Sequence, residues 1–385
     1  MTTVVRSGID RIMSGDVTLP QQRYGLVTAA HARTLDGTAG RKALAGRIEL
    51  TGLFSPEHGL EGVAMAGDKV SSDTDRMTGL PVHSLYQTQG EQELLPPEVL
   101  DTLDAFIYDL PDVGTRFYTY ISTCLQILDA AAKHGKAVYI LDRPNPLGGE
   151  VIEGLTQQEK DFSFVGAYTL PIRYGLTVGE LAKLYVSEQN LDIKLEVIAC
   201  EGWTRNQYHP DTGQVFMIPS PNIPNWQTAV LYPGTCLIEG TNLSEGRGTA
   251  RPFTWFGAPW IDQEELCEAL NTLDHPGIAI RPQGYIPTYS KNKDQHCQGV
   301  ALEITDHHAV RSVRFMVEAI AKVKELYPKD FAFINPWTEG GVSFIERLMG
   351  QDFVAASWKT EGFAAKEQAD REVYLARVKP YLIYE

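Results

Sequence analysis

The sequence predicts an α/β protein. A doubly wound, mostly parallel sheet is expected over residues 1–200, and a second, smaller α/β domain over residues 201–385. Three observations carry this expectation. Short apolar runs alternate with segments of helical periodicity through the first half, the rhythm of repeated β-α-β units. After about residue 200 the texture shifts to loops punctuated by proline and glycine. A length of 385 residues also exceeds what one hydrophobic core usually serves.

The elements follow in chain order. Val4 to Ser14 reads as a short amphipathic helix, with Val5, Ile9 and Ile12 on one face. Tyr24 to Ala29 is a buried-strand pattern. Arg41 to Arg47 is expected to be helical, and Ile48 to Ser55 is the next strand. The stretch from Gly59 to Gln92 is rich in Gly, Ser, Asp and Thr, and is long for a connection, which suits a functional loop. Leu94 to Leu103 holds a short helix and Ala105 to Leu110 a strand. Tyr118 to His134 has Ile121, Leu125 and Leu128 at helical spacing, with Gly135 where a capping glycine belongs. Lys136 to Leu141 is a strand. Thr177 to Tyr185 is a helix opened by a capping box, Thr177 with Glu180 three residues on. Ile193 to Cys200 alternates as a strand does. Further on, Ile261 to Leu270 and Val310 to Leu326 read as helices and Val300 to Thr305 as a strand.

Four of these strands run into polar clusters: His31 after the first, Pro56-Glu57-His58-Gly59 after the second, Pro111 to Arg116 after the third, and Asp142 to Pro146 after the fourth. Ligands of open parallel α/β sheets bind outside the carboxyl ends of the strands. Glu57, His58, Asp109, Asp112, Arg116, Asp142 and Arg143 are therefore expected to converge on one crevice. The shape is Rossmann-like, yet no G-x-G-x-x-G follows the first strand and no G-x-x-x-x-G-K-[ST] occurs, so a nucleotide-dependent enzyme is disfavoured.

The formal net charge of −15 argues against nucleic acid or an anionic membrane as the main partner, while leaving room for a local cluster of arginines. The five cysteines are widely spaced, with no C-x-x-C, so neither a disulfide framework nor a zinc knuckle is expected. Met1 to Asp16 has no apolar core of a signal peptide, and no run is long enough to span a membrane, so a cytoplasmic location is expected.

Candidate chemistry follows from residue type. Glu57, flanked by Phe54 and Pro56, suits a general acid, with an ion-paired surface glutamate as the structural alternative. His58 suits a hydrogen-bond partner, a metal ligand or a packed ring. Asp112 could orient Arg116 to grip an anionic or hydroxyl-rich ligand, or the two could form a loop-fixing salt bridge. Tyr118 and Tyr120 suit the apolar faces of a sugar or the core of the helix. Prolines 144 and 146 fix the directions of Asp142 and Asn145, and Arg143 and Arg173 could reach the same crevice. Glu239 to Thr249 is the densest polar run, with Asn242, Ser244, Glu245 and Arg247, and Trp260 beyond it offers a stacking platform. Asn222 lies in the loop Pro219 to Pro224. His307-His308 has no carboxylate at metal spacing and is expected at the surface.

Several motifs together resemble a known family. They are Leu53-Phe54-Ser55-Pro56-Glu57-His58-Gly59, Thr78 to Val82, Asp112 to Tyr120 and Leu141 to Pro146 in the first half. In the second half they are Pro219 to Pro224, Tyr232-Pro233-Gly234, Glu239 to Thr249 and Gly257 to Trp260. In order and nearly end to end, they are similar to the exo-β-N-acetylmuramidases of peptidoglycan recycling. The resemblance implies a Rossmann-like domain, a smaller C-terminal domain and an active site in the cleft between them. It implies release of terminal non-reducing N-acetylmuramic acid, with Glu57 as the catalytic residue and no cofactor or metal.

Glycoside hydrolysis usually needs a second carboxylate, for which Asp112, Asp142, Glu239 and Glu245 stand equal, or the substrate's own N-acetyl group. The lactyl carboxylate of muramic acid would occupy Arg116, Arg143, Arg173 or Arg247. The chain departs from the family at Ala29, Gln87 and Pro111. Two other readings stay open: a metal-dependent hydrolase using Glu57, His58, Asp109 and Asp112, and a non-catalytic amino-sugar-binding protein.

Overall fold

Strands whose successive side chains are all apolar must be covered on both faces, and the first half of the chain is built on that rule. A computed structural model describes residues 4–65, 73–86, 94–273, 275–335, 343–350 and 360–385. The first half runs α1 (Gly8–Ser14), β1 (Arg23–Thr28), α2 (Gly40–Ala45), β2 (Glu49–Ser55), β3 (Asp73–Thr74), β4 (Pro81–Ser84), α3 (Pro97–Leu100), β5 (Ala105–Asp109), α4 (Tyr120–Lys133), β6 (Ala137–Leu141), α5 (Val178–Glu188) and β7 (Leu195–Ile198). The strands form one sheet in the order β3-β4-β2-β1-β5-β6-β7. Every pairing is parallel except that of β3 with β4.

Alternate residues of each strand feed opposite cores, as the two-residue period requires. Val27, Phe106 and Ile140 join the core beneath α4 and α5. Their neighbours Leu26, Ile107 and Tyr139 join Ile9, Ile12 and Leu44 of α1 and α2 on the other face. The expected capping box is present on α5: the Thr177 hydroxyl accepts from the Glu180 amide at 3.2 Å, and Glu180 accepts from the Thr177 amide at 3.0 Å. The long segment after Gly59 contains two short strands among its described residues; Gln87 lies outside them.

The second half runs α6 (Trp226–Thr235), β8 (Trp255–Ala258), α7 (Gln263–Asn271), β9 (Ile278–Tyr285), β10 (Cys297–Ile304), α8 (Ser312–Leu326), α9 (Phe344–Met349) and α10 (Phe363–Val378). Its three strands form a separate antiparallel sheet in the order β8-β10-β9. Helix α6 escapes the sequence reading because Pro233 and Gly234 punctuate it. Asn225 starts it, its side chain accepting from the Thr228 amide at 2.8 Å.

One apolar core continues from Val27 to Val378, so the two sheets share an interior. The chain end returns to the first sheet. Arg377 donates to Glu188 at 2.7 Å, and the Tyr384 hydroxyl donates to Asp142 at 2.6 Å. Among the described residues, no helix is long and apolar enough to cross a membrane.

Candidate active site

β2 delivers Ser55 at the carboxyl edge of the sheet, and the chain then turns sharply. His58 has φ of 72°, a left-handed conformation that costs a non-glycine residue about 1–2 kcal/mol. Its Nδ1 donates to the Ala64 carbonyl at 2.8 Å, which helps hold the turn. The turn aims Glu57, 7% exposed, into a cavity of about 320 Å³. The Thr119 hydroxyl, just before α4, donates to Glu57 Oε2 at 2.6 Å.

Both halves of the chain line this cavity. The first contributes Glu57, His58, Tyr118 and Thr119; the second contributes Asn222, Glu239, Arg247 and Arg347. Aromatic walls come from Tyr86, Phe117, Phe164, Tyr232 and Phe253. Of the residues singled out by sequence, the cavity therefore gathers Glu57, His58, Tyr118, Asn222, Glu239 and Arg247. Thr119 carries neither charge nor aromatic ring, so its motif does not mark it as a site residue. Arg347 gave no signal, because nothing in its local sequence marks a loop or a strand end.

The polar run after α6 is packed rather than solvated. Arg247 donates to Glu239 and sits 3.2 Å from Glu245, which also faces Lys291 at 2.9 Å. Burial alone would raise Glu245; Lys291 and Arg247 outweigh it and hold the carboxyl below its usual range. Burial opposes the charge on Arg247, but Glu239 and Glu245 outweigh it and raise the guanidinium. Glu245 is 2% exposed and does not line the cavity. Ser244 is buried beneath the run, accepting from the Gly246 amide at 3.2 Å. Asn242 ties the run to Asp330 and Ala332.

The remaining expected residues do not reach this cavity, and the reasons are local. Arg116 is fully buried and donates to the carbonyls of Leu155, Leu170 and Leu348, so Asp112 does not orient it. Among the described residues no carboxylate pairs with it, and burial pulls Arg116 down to about 9. Arg173 is buried against Glu153, the Leu147 carbonyl and the Tyr208 hydroxyl. Asp142 sits at the N-terminus of α5, accepting from Gly179 N at 2.9 Å and Thr177 Oγ1 at 2.7 Å. Asn145 links the Leu176 carbonyl to the Leu147 amide. Trp260 packs on Tyr327.

The one expected crevice is in fact two cavities on one edge. A second, of about 260 Å³, is lined by His31, Asp112 and Arg143. Tyr120 is buried behind it, stacked on His31 with ring centroids 5.5 Å apart. Burial pushes Asp112 up to about 6, against the hydrogen bond from Tyr174. Pro111 lines this second cavity and Ala29 is buried at the end of β1, so neither departure from the family pattern faces the first. Glu57, His58, Asp109 and Asp112 consequently do not form one cluster: Asp109 is sealed under Arg143, which donates to it at 2.8 Å. His307 and His308 do acquire a carboxylate neighbour. Asp211 approaches from far along the chain, the three ligand atoms lying within 4.8 Å of one another. His307 is half-buried between Tyr208 and Trp226.

Comparison with known proteins fits this geometry. The N-terminal pattern of exo-beta-N-acetylmuramidase NamZ matches residues 24–227, and its C-terminal pattern matches residues 230–384. The peptidoglycan beta-N-acetylmuramidase NamZ of Bacillus subtilis (strain 168) is 42% identical over 334 residues, covering 86% of this chain and 80% of that protein. Two crystal structures of DUF1343 family proteins from Bacteroides fragilis NCTC 9343 are similar throughout. One superposes with a TM-score of 0.87 at 30% identity, covering 99% of each chain. The other has a TM-score of 0.76 at 27% identity, covering 100% of this chain and 99% of its own. With both halves matched in order, the chain belongs to the exo-beta-N-acetylmuramidase NamZ family.

Proposed function

We propose that this protein is an exo-acting glycoside hydrolase that releases terminal non-reducing N-acetylmuramic acid from peptidoglycan fragments. Membership of the family and 42% identity to a peptidoglycan β-N-acetylmuramidase support the activity. One observation carries the site: the glutamate of the Ser-Pro-Glu-His-Gly turn lines a cavity of about 320 Å³ walled by aromatic rings from both halves.

In this reading Glu57 is the general acid. It protonates the leaving glycosidic oxygen as the bond from the anomeric carbon breaks. Thr119 fixes the direction of its carboxyl. Among the described residues Glu239 is the other carboxylate lining the cavity, and takes the second role: accepting the proton of the attacking water or adding to the anomeric carbon. Arg247 orients Glu239 through their ion pair. Asn222 lines the same cavity; its Oδ1 accepts from the Tyr289 hydroxyl at 2.5 Å, which leaves its amide N–H groups as the donors for an N-acetyl carbonyl. Tyr118, which lines the cavity beside Glu57, supplies apolar surface to the pyranose ring. The division near residue 200 separates the half that supplies the acid from the half that supplies its partner. Five unpaired, buried cysteines favour a reducing, cytoplasmic setting.

The test is hydrolysis of a chromogenic β-N-acetylmuramide, with the β-N-acetylglucosaminide as control, by wild type and Glu57→Gln. The muramide alone should turn over, and the variant should lose on the order of 10²–10⁴-fold. A folded wild type that hydrolyses neither sugar overturns the assignment.

A further inference from the structure

Four arginines were expected to serve an anionic substrate, and each is otherwise engaged. Arg116 serves three carbonyls, Arg143 serves Asp109, Arg173 serves Glu153, and Arg247 is shared by Glu239 and Glu245. A fifth, Arg347 on α9, lines the same cavity as Glu57. Its Nε is buried without a hydrogen-bond partner, and among the described residues no carboxylate pairs with its guanidinium. Arg347 is half-buried at the cavity wall, where a guanidinium partly withdrawn from water and without a counter-charge favours an anion beside it.

The rest of the cavity sharpens the point. Its two lining carboxylates, Glu57 and Glu239, and a chain of net charge −15 both repel an anion. Arg247 is already matched by its own two glutamates. Any carboxylate entering this cavity needs a separate, uncommitted cation, and a guanidinium offers a planar fork that matches a carboxylate at two points.

We propose that Arg347 forms a carboxylate-binding subsite that receives the lactyl carboxylate of the N-acetylmuramoyl ring. This rests on the muramidase reading and deepens it. N-acetylglucosamine lacks the lactyl group, so Arg347 is the residue that separates the two sugars. Its contribution is to binding rather than to bond cleavage, and a loss there falls on KM.

The experiment compares the chromogenic muramide with its lactyl methyl ester, which keeps the shape and removes the charge. Wild type should process the acid on the order of 10–100-fold better in kcat/KM than the ester, the range of one charge-assisted pair. Arg347→Met should bring the acid down toward the level of the ester through KM, and cost the ester far less. Arg347→Lys should restore part of the preference. Equal handling of acid and ester by wild type overturns the subsite, as does an equal loss on both in Arg347→Met. The wild-type comparison stands by itself if the methionine variant fails to fold. If wild type hydrolyses neither compound, the activity assignment fails first. Calorimetric titration of N-acetylmuramic acid against N-acetylglucosamine then decides the subsite, with no preference for the acid overturning it.

Discussion

Replacing Arg116 with methionine separates two roles that sequence position cannot distinguish. An arginine that grips substrate can be removed at the expense of KM, with stability intact. Arg116 instead donates to Leu155 O at 2.9 Å, Leu170 O at 2.6 Å and Leu348 O at 2.5 Å, joining two loops of the first half to α9. Hydrogen bonds from a charged donor contribute about 1.5–3 kcal/mol each, so the three sum to roughly 4–9 kcal/mol. Against that stands relief of the buried charge, whose cost is visible in the lowered guanidinium pKa. The methionine fills most of the volume but leaves three carbonyls unpaired. A net loss of about 3–5 kcal/mol is expected, which at roughly 2 °C per kcal/mol lowers the apparent Tm by on the order of 10 °C. Differential scanning fluorimetry measures the shift, and steady-state kinetics on the surviving folded protein measures KM. A variant that melts within 1–2 °C of wild type while KM rises would refute the structural role. Its guanidinium would then have to reach the ligand, and the carbonyl clamp could not exist as described.

Two further perturbations divide the acidic residues. Glu239→Gln should retain stability within about 1 kcal/mol and lose at least ~10² in turnover of the muramide, because Glu239 is half-buried and lines the cavity. Glu245→Gln should do the reverse, costing about 3 kcal/mol in a urea melt, since Lys291 and Arg247 lose a buried counter-charge. The opposite pattern would exchange their roles. Asp142 is pushed up from 3.8 to about 6 by burial, with its three hydrogen bonds opposing. The folded state therefore holds a proton that the unfolded state releases between those values, and this contribution to stability falls as pH rises from about 4 to 6. Asp142→Asn should remove that fall, changing the slope of stability against pH by up to ~1.4 kcal/mol per pH unit in that window. Urea melts at pH 4.5, 5.5 and 6.5 read the difference, and parallel slopes in the two proteins would contradict it.

The first half of the fold was legible because its signals are local. β5 and β6 are nearly continuous apolar runs, β1 and β2 carry apolar residues into their buried ends, and the capping box at Thr177 is visible in four letters. In the second half, α6 was hidden by Pro233, and β9 carries Pro282 within an exposed edge strand. The site was legible to a lesser degree. Glu57 is placed by its own strand, so position alone finds it. Arg116 and Asp142 lie in equally polar clusters, yet backbone groups from residues 155, 170, 348 and 179 claim them. A carbonyl has no sequence signature. Whether a charged residue faces ligand or backbone depends on that invisible partner, and so motif membership alone overcounts the site.

The division of one sheet edge into two cavities follows from the same competition. β1 lies between β2 and β5, so the loops on its two sides leave in opposite directions. His31, following β1, stacks on Tyr120, and the Tyr120 hydroxyl donates to the Pro219 carbonyl at 3.1 Å. Burial pulls His31 down to about 3, so this wall carries no charge near neutral pH. On the side toward Glu57, the second half adds Glu239, Arg247 and Arg347. On the other side it adds His209 and the segment from Gly213 to Pro219, with no further carboxylate or guanidinium among them. The sheet edge presents polar groups to both spaces, yet only one receives a second acid and an uncommitted cation from the other half. The switch-point rule locates the edge; the packing of the C-terminal half upon it decides which side pairs a strand-end carboxylate with a carboxylate from the other half.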